Sequence, residues 1–160
     1  MTIRATEPAD RDAVEAITRS VGLFEPEQVA EVLAMFDEHH ASPAPTGRWW
    51  VLEQDRELVG VAYAEPERMT DRVWNLLYIA VRADQQGRGF GTELLRGVRR
   101  DLASNRRWMV ETAAIEEFAP VRRWYEREGF VRVAELPDYY ADGVGKTVLM
   151  QPLSGREGQA

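Results

Sequence analysis

The sequence predicts a mixed α/β (α+β) domain in which about four helices flank a mostly antiparallel sheet of about seven strands. Strand-like segments, apolar at every second position or throughout, alternate with segments whose apolar residues recur at helical spacing. A glycine-rich segment joins the most apolar of these runs to the next helix. The length of 160 residues suits one domain, and 44% hydrophobic with 29% charged residues is typical of globular proteins. We therefore expect one domain over residues 3–153 and a flexible tail over residues 154–160.

The first part of the chain is predicted to form a strand, two helices and a hairpin. A strand over residues 3–6 precedes one helix, and Pro26 starts a second helix. The prolines within residues 39–47 predict a loop. From Trp49 the apolar period changes to two, and the polar residues 54–57 form the turn between two antiparallel strands.

The second part of the chain contains the strand that we expect at the centre of the sheet. Residues 73–81 are apolar on both faces, as a strand covered on both sides should be. A helix is predicted from about residue 89 to residue 104, with its apolar residues on one face. The remaining predicted elements are a strand at residues 108–112, a helix at 120–128 and two strands at 130–136 and 147–153.

Composition excludes several classes of function. Without cysteine, the chain has no disulfide, no thiolate metal site and no cysteine-bound acyl intermediate. His39 and His40 are the only histidines, and adjacent histidines are poorly spaced to bind one metal ion, so we expect no metal. A net charge of -7 disfavours nucleic acid and suits a positively charged amine, although it also favours solubility. The absence of a membrane-spanning run and of a signal-peptide pattern predicts a cytoplasmic protein that does not bind membranes.

The turn between the central strand and the following helix is the strongest candidate for a binding site. Backbone N–H groups at a helix start have no intrahelical partner and can hold a pyrophosphate. Gly87, Gly89 and Gly91 let the backbone approach a phosphate closely, and Arg88 can add a charge-assisted contact. Glycines can also mark only a tight connection. The turn lacks a P-loop lysine, and antiparallel strands precede it, unlike the turn of a dinucleotide-binding fold.

Two segments resemble the signatures of one family. Residues 86–91, Gln-Gly-Arg-Gly-Phe-Gly, resemble the Gln/Arg-x-x-Gly-x-Gly/Ala acetyl-CoA signature of the GNAT (Gcn5-related N-acetyltransferase) superfamily. Residues 119–130 are similar to its second signature, an Ala-x-x-x-Tyr-x-x-x-Gly-Phe-like helix. The order of the predicted strands and helices also follows the family, so the resemblance covers nearly the whole chain and implies a GNAT-like fold.

The resemblance implies a set of cofactor contacts. Backbone groups of Ile79 and Val81 would pair with the pantetheine arm of acetyl-CoA. The pyrophosphate would lie on the turn that runs from Gln86 through Phe90 to Thr92. Many relatives carry an asparagine before the second signature to bind pantetheine, whereas residues 116–118 are Glu-Glu-Phe here. That one contact departs from the family pattern.

Direct acyl transfer to an amine needs a base, a proton donor for the thiolate and an oxyanion donor. Glu111, at the end of its strand, is the candidate base and would also contact the acceptor, although it can equally be a surface carboxylate. Glu65 and Glu135 are weaker candidates. By resemblance Tyr125 is the general acid, the alternative being a core aromatic residue. A backbone N–H near Val81 would serve the oxyanion.

The acceptor region is predicted around the first two helices and the last hairpin. Tyr139 and Tyr140 lie in a segment that resembles the tyrosine-rich loop of peptide N-terminal acetyltransferases in this family, or that forms only a hairpin turn. The resulting hypothesis is an N-acetyltransferase that moves acetyl from acetyl-CoA to a primary amine in a ternary complex. A small-molecule amine, a peptide amine and a homodimer all stay open. The alternative is a non-catalytic regulatory module that binds acyl-CoA.

Overall fold

A computed structural model describes residues 1–153. These residues form seven strands and four helices, which confirms the predicted mixed α/β fold class. The strands are β1 (Thr2–Ala5), β2 (Arg48–Gln54), β3 (Glu57–Pro66), β4 (Val73–Val81), β5 (Arg107–Ala113), β6 (Val131–Ala141) and β7 (Val144–Pro152). The helices are α1 (Arg11–Ser20), α2 (Pro26–Ala41), α3 (Phe90–Asp101) and α4 (Ala119–Arg127).

The strands form one sheet in the order β1-β2-β3-β4-β5-β7-β6. β4 and β5 pair in parallel, whereas the β1–β2, β2–β3, β5–β7 and β6–β7 pairs are antiparallel. The described residues divide into two compact units, Met1–Glu65 with Tyr78–Asp101, and Pro66–Leu77 with the described residues that start at Leu102. We call them the first and the second unit.

In the first unit, α1 and α2 cover one face of the strands. Their apolar residues pack on the aromatic residues Trp49, Tyr63 and Tyr78, which are all at least 92% buried. The Tyr78 hydroxyl lies 2.7 Å from Oγ1 of Thr18 on α1. Burial raises the pKa of Tyr78 to about 12, although the hydrogen bond with Thr18 acts in the opposite direction.

Helix α3 packs against β1 and β2 within the same unit. A Cβ at Gly97 would come within 2.3 Å of Ile3, so glycine is needed for α3 to approach β1 this closely. The indole N–H of Trp50 donates to Asp101 at the end of α3 over 2.9 Å. These contacts fix the helix whose first residues follow the glycine turn.

In the second unit, α4 packs over β5 and β7. Trp108 of β5 is fully buried against Phe130, with ring centroids 5.1 Å apart. Its indole N–H donates to Gln151 over 2.8 Å, and the Gln151 amide donates to the carbonyl of Glu128 over 2.8 Å. Gly129 ends the helix region with φ +97°, and a Cβ there would lie 2.6 Å from the Gln151 side chain.

Several predicted boundaries were wrong. The loop prediction for residues 39–47 fails at its start, because α2 continues to Ala41. His40 holds this last turn through a 3.0 Å contact with Thr6 and through packing on Phe36. Helix α3 ends at Asp101, three residues earlier than expected. The predicted tail over residues 154–160 lies outside the described residues.

No helix within residues 1–153 is long and apolar enough to cross a lipid bilayer.

Candidate active site

The glycine turn lies where the sequence places it, between β4 and α3. A short 3₁₀ turn at Ala83–Gln85 leads into Gly87 and Gly89, which have φ values of +74° and +86°. These values are in the left-handed region that favours glycine. The first described helical bond of α3 runs from the N–H of Glu93 to the carbonyl of Gly89 over 3.0 Å, which makes Gly89 the residue before the helix.

The turn is open to solvent and fits an anionic group. A Cβ added at Gly87 or Gly89 would meet no atom within 4 Å, so neither glycine is required by packing. The N–H groups of Phe90 and Gly91 belong to the first helical turn and have no intrahelical acceptor. N–H groups without an intrahelical acceptor, at the positive end of a helix, are suited to bind a pyrophosphate.

Two side chains of the turn make local contacts. The Gln86 amide donates to the carbonyl of Val81 over 3.1 Å and so ties the turn to the end of β4. The Arg88 guanidinium contacts the Gln85 side chain and lies 5.4 Å from the centre of the Phe90 ring. Both Gln86 and Arg88 are exposed, so a bound anion could recruit either one.

The described ladder between β4 and β5 covers only the first part of β4. It pairs residues 73–76 of β4 with residues 107–110 of β5. Ile79 and Val81, for which backbone contacts with pantetheine are expected, lie beyond it and are half-buried. The carbonyl of Val81 is already an acceptor for Gln86.

Tyr125 lies on α4 in the second unit and is 5% exposed. Its ring packs against Phe130 at 5.4 Å and against Trp124 at 4.7 Å. Burial raises the pKa of the Tyr125 hydroxyl well above its usual value. The side chain is therefore both a core aromatic residue and a phenol that keeps its proton at neutral pH.

Glu111 of β5 forms an ion pair that was not expected from the sequence. The Nζ atom of Lys146 on β7 lies 2.8 Å from Oε2 of Glu111. Only 8% of the Lys146 side chain is exposed, against 23% for Glu111. Burial lowers the pKa of Lys146, but contacts with Glu111 and Tyr139 outweigh this effect, so the net shift is upward. Lys146 is the functional candidate that sequence reasoning missed.

Tyr139 packs against this ion pair, and Tyr140 is the next residue of the same strand. They were expected in the hairpin turn, but they lie in β6, and the turn itself is residues 142–143. The pairing of β6 with β7 shifts register between Leu136 and Ala141, so the chain bulges there. Nζ of Lys146 lies 4.0 Å from the centre of the Tyr139 ring.

Two features hold the residues on either side of the bulge. A Cβ at Gly145 would lie 2.8 Å from the carbonyl oxygen of Leu136, so glycine is required at that position. The N–H of Gly143 donates to the Asp138 carboxylate over 2.7 Å. The tyrosine segment is thus fixed at both ends while the two rings stay about half exposed.

The structure brings Glu111, Tyr139 and Tyr140 together but places Tyr125 on the other face of β5. Side chains alternate along β5, and Trp108, Val110 and Thr112 are buried while Glu111 points to the opposite face. Tyr125 shares the Trp108 face through Phe130. The candidate base and the candidate acid therefore lie on opposite sides of one strand.

A separate pocket of about 320 Å³ lies within the first unit. Its lining includes Glu65, one of the weaker carboxylate candidates, together with Glu38 and His39. The Tyr63 hydroxyl donates to Glu65 over 2.9 Å. Glu135, the other weaker candidate, lies on the exposed strand β6 and pairs with Thr147.

The fold and the turn define a mixed α/β protein with one glycine-rich connection between strand and helix. A family model for the acetyltransferase (GNAT) domain matches residues 45–132, a span that contains the turn and Tyr125. No curated protein sequence matches the chain. A crystal structure from Desulfovibrio desulfuricans, described as a GNAT-family acetyltransferase, is 30% identical with a TM-score of 0.90. That alignment covers 95% of this chain and 98% of the other.

Two more distant structures share the fold. The ribosomal-protein-S18-alanine N-acetyltransferase of Escherichia coli is 20% identical with a TM-score of 0.79, over 99% of this chain and 97% of that one. An aminoglycoside 6'-N-acetyltransferase complexed with coenzyme A is 16% identical with a TM-score of 0.78, over 99% and 100%. The chain belongs to the GNAT acetyltransferase family.

Proposed function

We propose that this protein transfers an acetyl group from acetyl-CoA directly to a primary amine within a ternary complex. The observation that carries the proposal is the turn before α3, where Cβ positions at Gly87 and Gly89 are open and the first-turn N–H groups of α3 have no intrahelical acceptor. Membership of the GNAT family and the coenzyme A bound to one structural relative support the same ligand. Under this proposal, residues 86–92 bind the pyrophosphate and residues 79 and 81 bind the pantetheine arm.

Acetyl-CoA, when bound, supplies the thioester whose acetyl group is transferred. The chain has no cysteine, so the protein does not form a thioester with the acetyl group and we propose a single direct transfer. The new bond joins the amine nitrogen to the carbonyl carbon, and the bond between that carbon and sulfur breaks. A backbone N–H near Val81 is the proposed donor to the carbonyl oxygen.

Glu111 is the proposed general base. An alkylammonium acceptor has a pKa of about 10.4, so it must lose a proton before its nitrogen can attack. The Glu111 carboxylate is partly exposed, and it can accept this proton directly or through a water molecule. Lys146 contacts one of its oxygens and so holds the carboxylate in place.

Tyr125 is the proposed general acid. Its buried hydroxyl keeps its proton at neutral pH and can donate it to the departing thiolate. The two proton transfers occur at different atoms, the incoming nitrogen and the leaving sulfur. Both atoms are bonded to the same carbon, so the proposal requires the thioester to lie where it meets Glu111 and Tyr125 from the two faces of β5.

The acceptor is a primary amine of a small molecule or a peptide. Among the relatives, one enzyme acts on an alanine of ribosomal protein S18 and another on aminoglycosides. For this chain, Glu111 and the exposed rings of Tyr139 and Tyr140 are the proposed acceptor contacts.

The proposal is tested by titrating acetyl-CoA into the purified protein by calorimetry and then following free thiol release with a panel of amines. We expect saturable binding and thiol release that depends on the amine. Binding without amine-dependent thiol release would favour the non-catalytic regulatory module. Absence of binding would contradict both functions, because each requires acyl-CoA on the turn.

A further inference from the structure

Lys146 is the only lysine in the sequence. The rest of the 20 lysine and arginine residues are arginines. This one lysine is also nearly buried, with 8% of its side chain exposed. Buried lysines are rare unless they are paired. A compact ammonium group fits this nearly buried position, and it differs in shape from the planar guanidinium group used elsewhere in the chain.

The ammonium group is fixed by two neighbours of different chemistry. Oε2 of Glu111 lies 2.8 Å away, and the face of the Tyr139 ring lies 4.0 Å away. Both contacts favour the charged form, and the pKa of Lys146 is raised. Lys146 therefore carries a permanent positive charge beside the proposed base at neutral pH.

A ligand can reach the Glu111 member of this ion pair directly, whereas Lys146 lies beneath the Tyr139 ring and is reached only when that ring shifts. Glu111 is partly exposed, and Tyr139 and Tyr140 are 54% and 50% exposed. An acceptor amine that contacts Glu111 comes within a few ångströms of Lys146. The group next to that amine then lies close to the Lys146 ammonium group.

We propose that Lys146 is a specificity-determining residue that makes the Glu111 site select amines carrying a carboxylate close to the amine, as a free amino acid does. This inference rests on the proposed function. The amine of such an acceptor contacts Glu111 while its carboxylate contacts Lys146, so both members of the ion pair gain a partner of opposite charge. A polyamine brings a second cation against Lys146 and is disfavoured by repulsion. A peptide N-terminus offers an amide in place of the carboxylate and loses the second contact.

The test compares acceptors that differ only in this charge. Glycine, L-alanine, L-leucine and L-phenylalanine are each assayed beside the corresponding carboxamide, with wild type, Lys146→Met and Lys146→Arg. Loss of a charge-assisted hydrogen bond changes kcat/KM by roughly 10- to 100-fold. We expect the ratio of kcat/KM for carboxylate over carboxamide to fall by that factor in Lys146→Met. Lys146→Arg should keep part of the ratio, because it keeps the charge.

The comparison is made between variants, so the different pKa values of the two acceptor amines cancel. If Lys146 had only a structural role, Lys146→Met would slow both acceptors alike and leave the ratio unchanged. That result would overturn the proposal. Preference of the wild-type enzyme for polyamines or for peptide N-termini would overturn it as well.

A second measurement does not depend on turnover. Lysine labelled with ¹³C at Cε gives a single side-chain signal in this protein, because the sequence contains one lysine. With coenzyme A present, we expect the amino acids to shift this signal and the carboxamides to leave it in place. A selective shift without any acetylation would remove the proposed transfer but keep the site. Equal effects of both acceptor types, or none, would overturn the site.

Discussion

At the scale of single residues, Tyr125 combines two roles that the sequence could not separate. Its ring belongs to the core of the second unit, and its hydroxyl has a raised pKa because it is buried. Removal of the hydroxyl in Tyr125→Phe should lower kcat by about 10²-fold or more, since general acid catalysis is worth that much. The affinity for acetyl-CoA, measured by calorimetry, should stay nearly unchanged.

The matched control for this substitution is Tyr78→Phe. It removes another buried tyrosine hydroxyl, which lies 2.7 Å from Thr18 in the first unit. We expect a loss of thermal stability with little change in kcat. If Tyr125→Phe resembled this control in both measurements, Tyr125 would be a packing residue only.

A second residue-scale prediction concerns Asp10, whose carboxylate is nearly buried. Arg4 donates to it twice, over 2.8 and 2.9 Å, and the N–H of Glu7 donates over 2.7 Å. The hydrogen bonds from Arg4, followed by that from Glu7, lower the pKa of Asp10 despite its desolvation. A lowered folded-state pKa stabilises the protein above the unfolded pKa of about 3.9, and this stabilisation is lost as the pH falls through the folded pKa.

Asp10→Asn should therefore reduce the free energy of unfolding at pH 7 by about 1.5–3 kcal/mol, the usual contribution of a charged hydrogen bond. The difference between wild type and variant should shrink below about pH 4, as denaturant titrations at several pH values would show. Asp37→Asn is the control, because the Asp37–Arg11 pair has similar distances but is exposed. An equal loss in both variants would show that burial of the Asp10 pair contributes nothing.

At the scale of elements, we expect the glycines of the turn before α3 to be needed for ligand binding rather than for packing. Gly89→Ala places a side chain at φ +86°, which costs about 1–2 kcal/mol of stability. The added Cβ would also project into space beside the turn that is open in the wild-type protein, where the pyrophosphate is proposed to lie. We expect the Kd for acetyl-CoA, measured by calorimetry, to rise at least about tenfold, as loss of one charge-assisted contact implies.

Gly22→Ala is the matched control for the turn. Gly22 has φ +69° and equally open surroundings, but it lies after α1. Both variants should lose similar stability, and only Gly89→Ala should lose affinity for acetyl-CoA. Equal affinities in the two variants would move the ligand away from the turn.

The elements also show which features the sequence can predict. The bounds of β4 were predicted correctly, because a long run that is apolar on both faces has a strong local signal. The bulge in β6 has no such signal, since it depends on the approach of Gly145 to the carbonyl of Leu136. The last turn of α2 was missed for a similar reason. His40 contacts Thr6, which is distant in the sequence, as well as Phe36 one turn earlier in the same helix.

The candidate site was predicted unevenly for the same physical reason. The glycine turn is a continuous segment, so its residue types and their spacing are visible in the sequence. The Glu111–Lys146 pair joins two strands, and neither residue alone indicates the other. The available signal was Lys146 itself. It is the only lysine of the sequence, and it directly precedes the strand predicted at residues 147–153.

At the scale of the whole molecule, ligand binding should appear as stability. A ligand that binds only the folded state at a hundredfold excess over its Kd adds about 2.7 kcal/mol to the free energy of unfolding. For a chain of this length, that corresponds to a rise in Tm of about 5–10 °C. We expect acetyl-CoA and coenzyme A to give similar rises, because the proposed turn contacts the pyrophosphate that both contain. Gly89→Ala should reduce the rise at the same ligand concentration while Gly22→Ala keeps it, in thermal scans followed by circular dichroism. An unchanged Tm with saturating acetyl-CoA would contradict the proposed ligand, whatever thiol release is measured with individual amines.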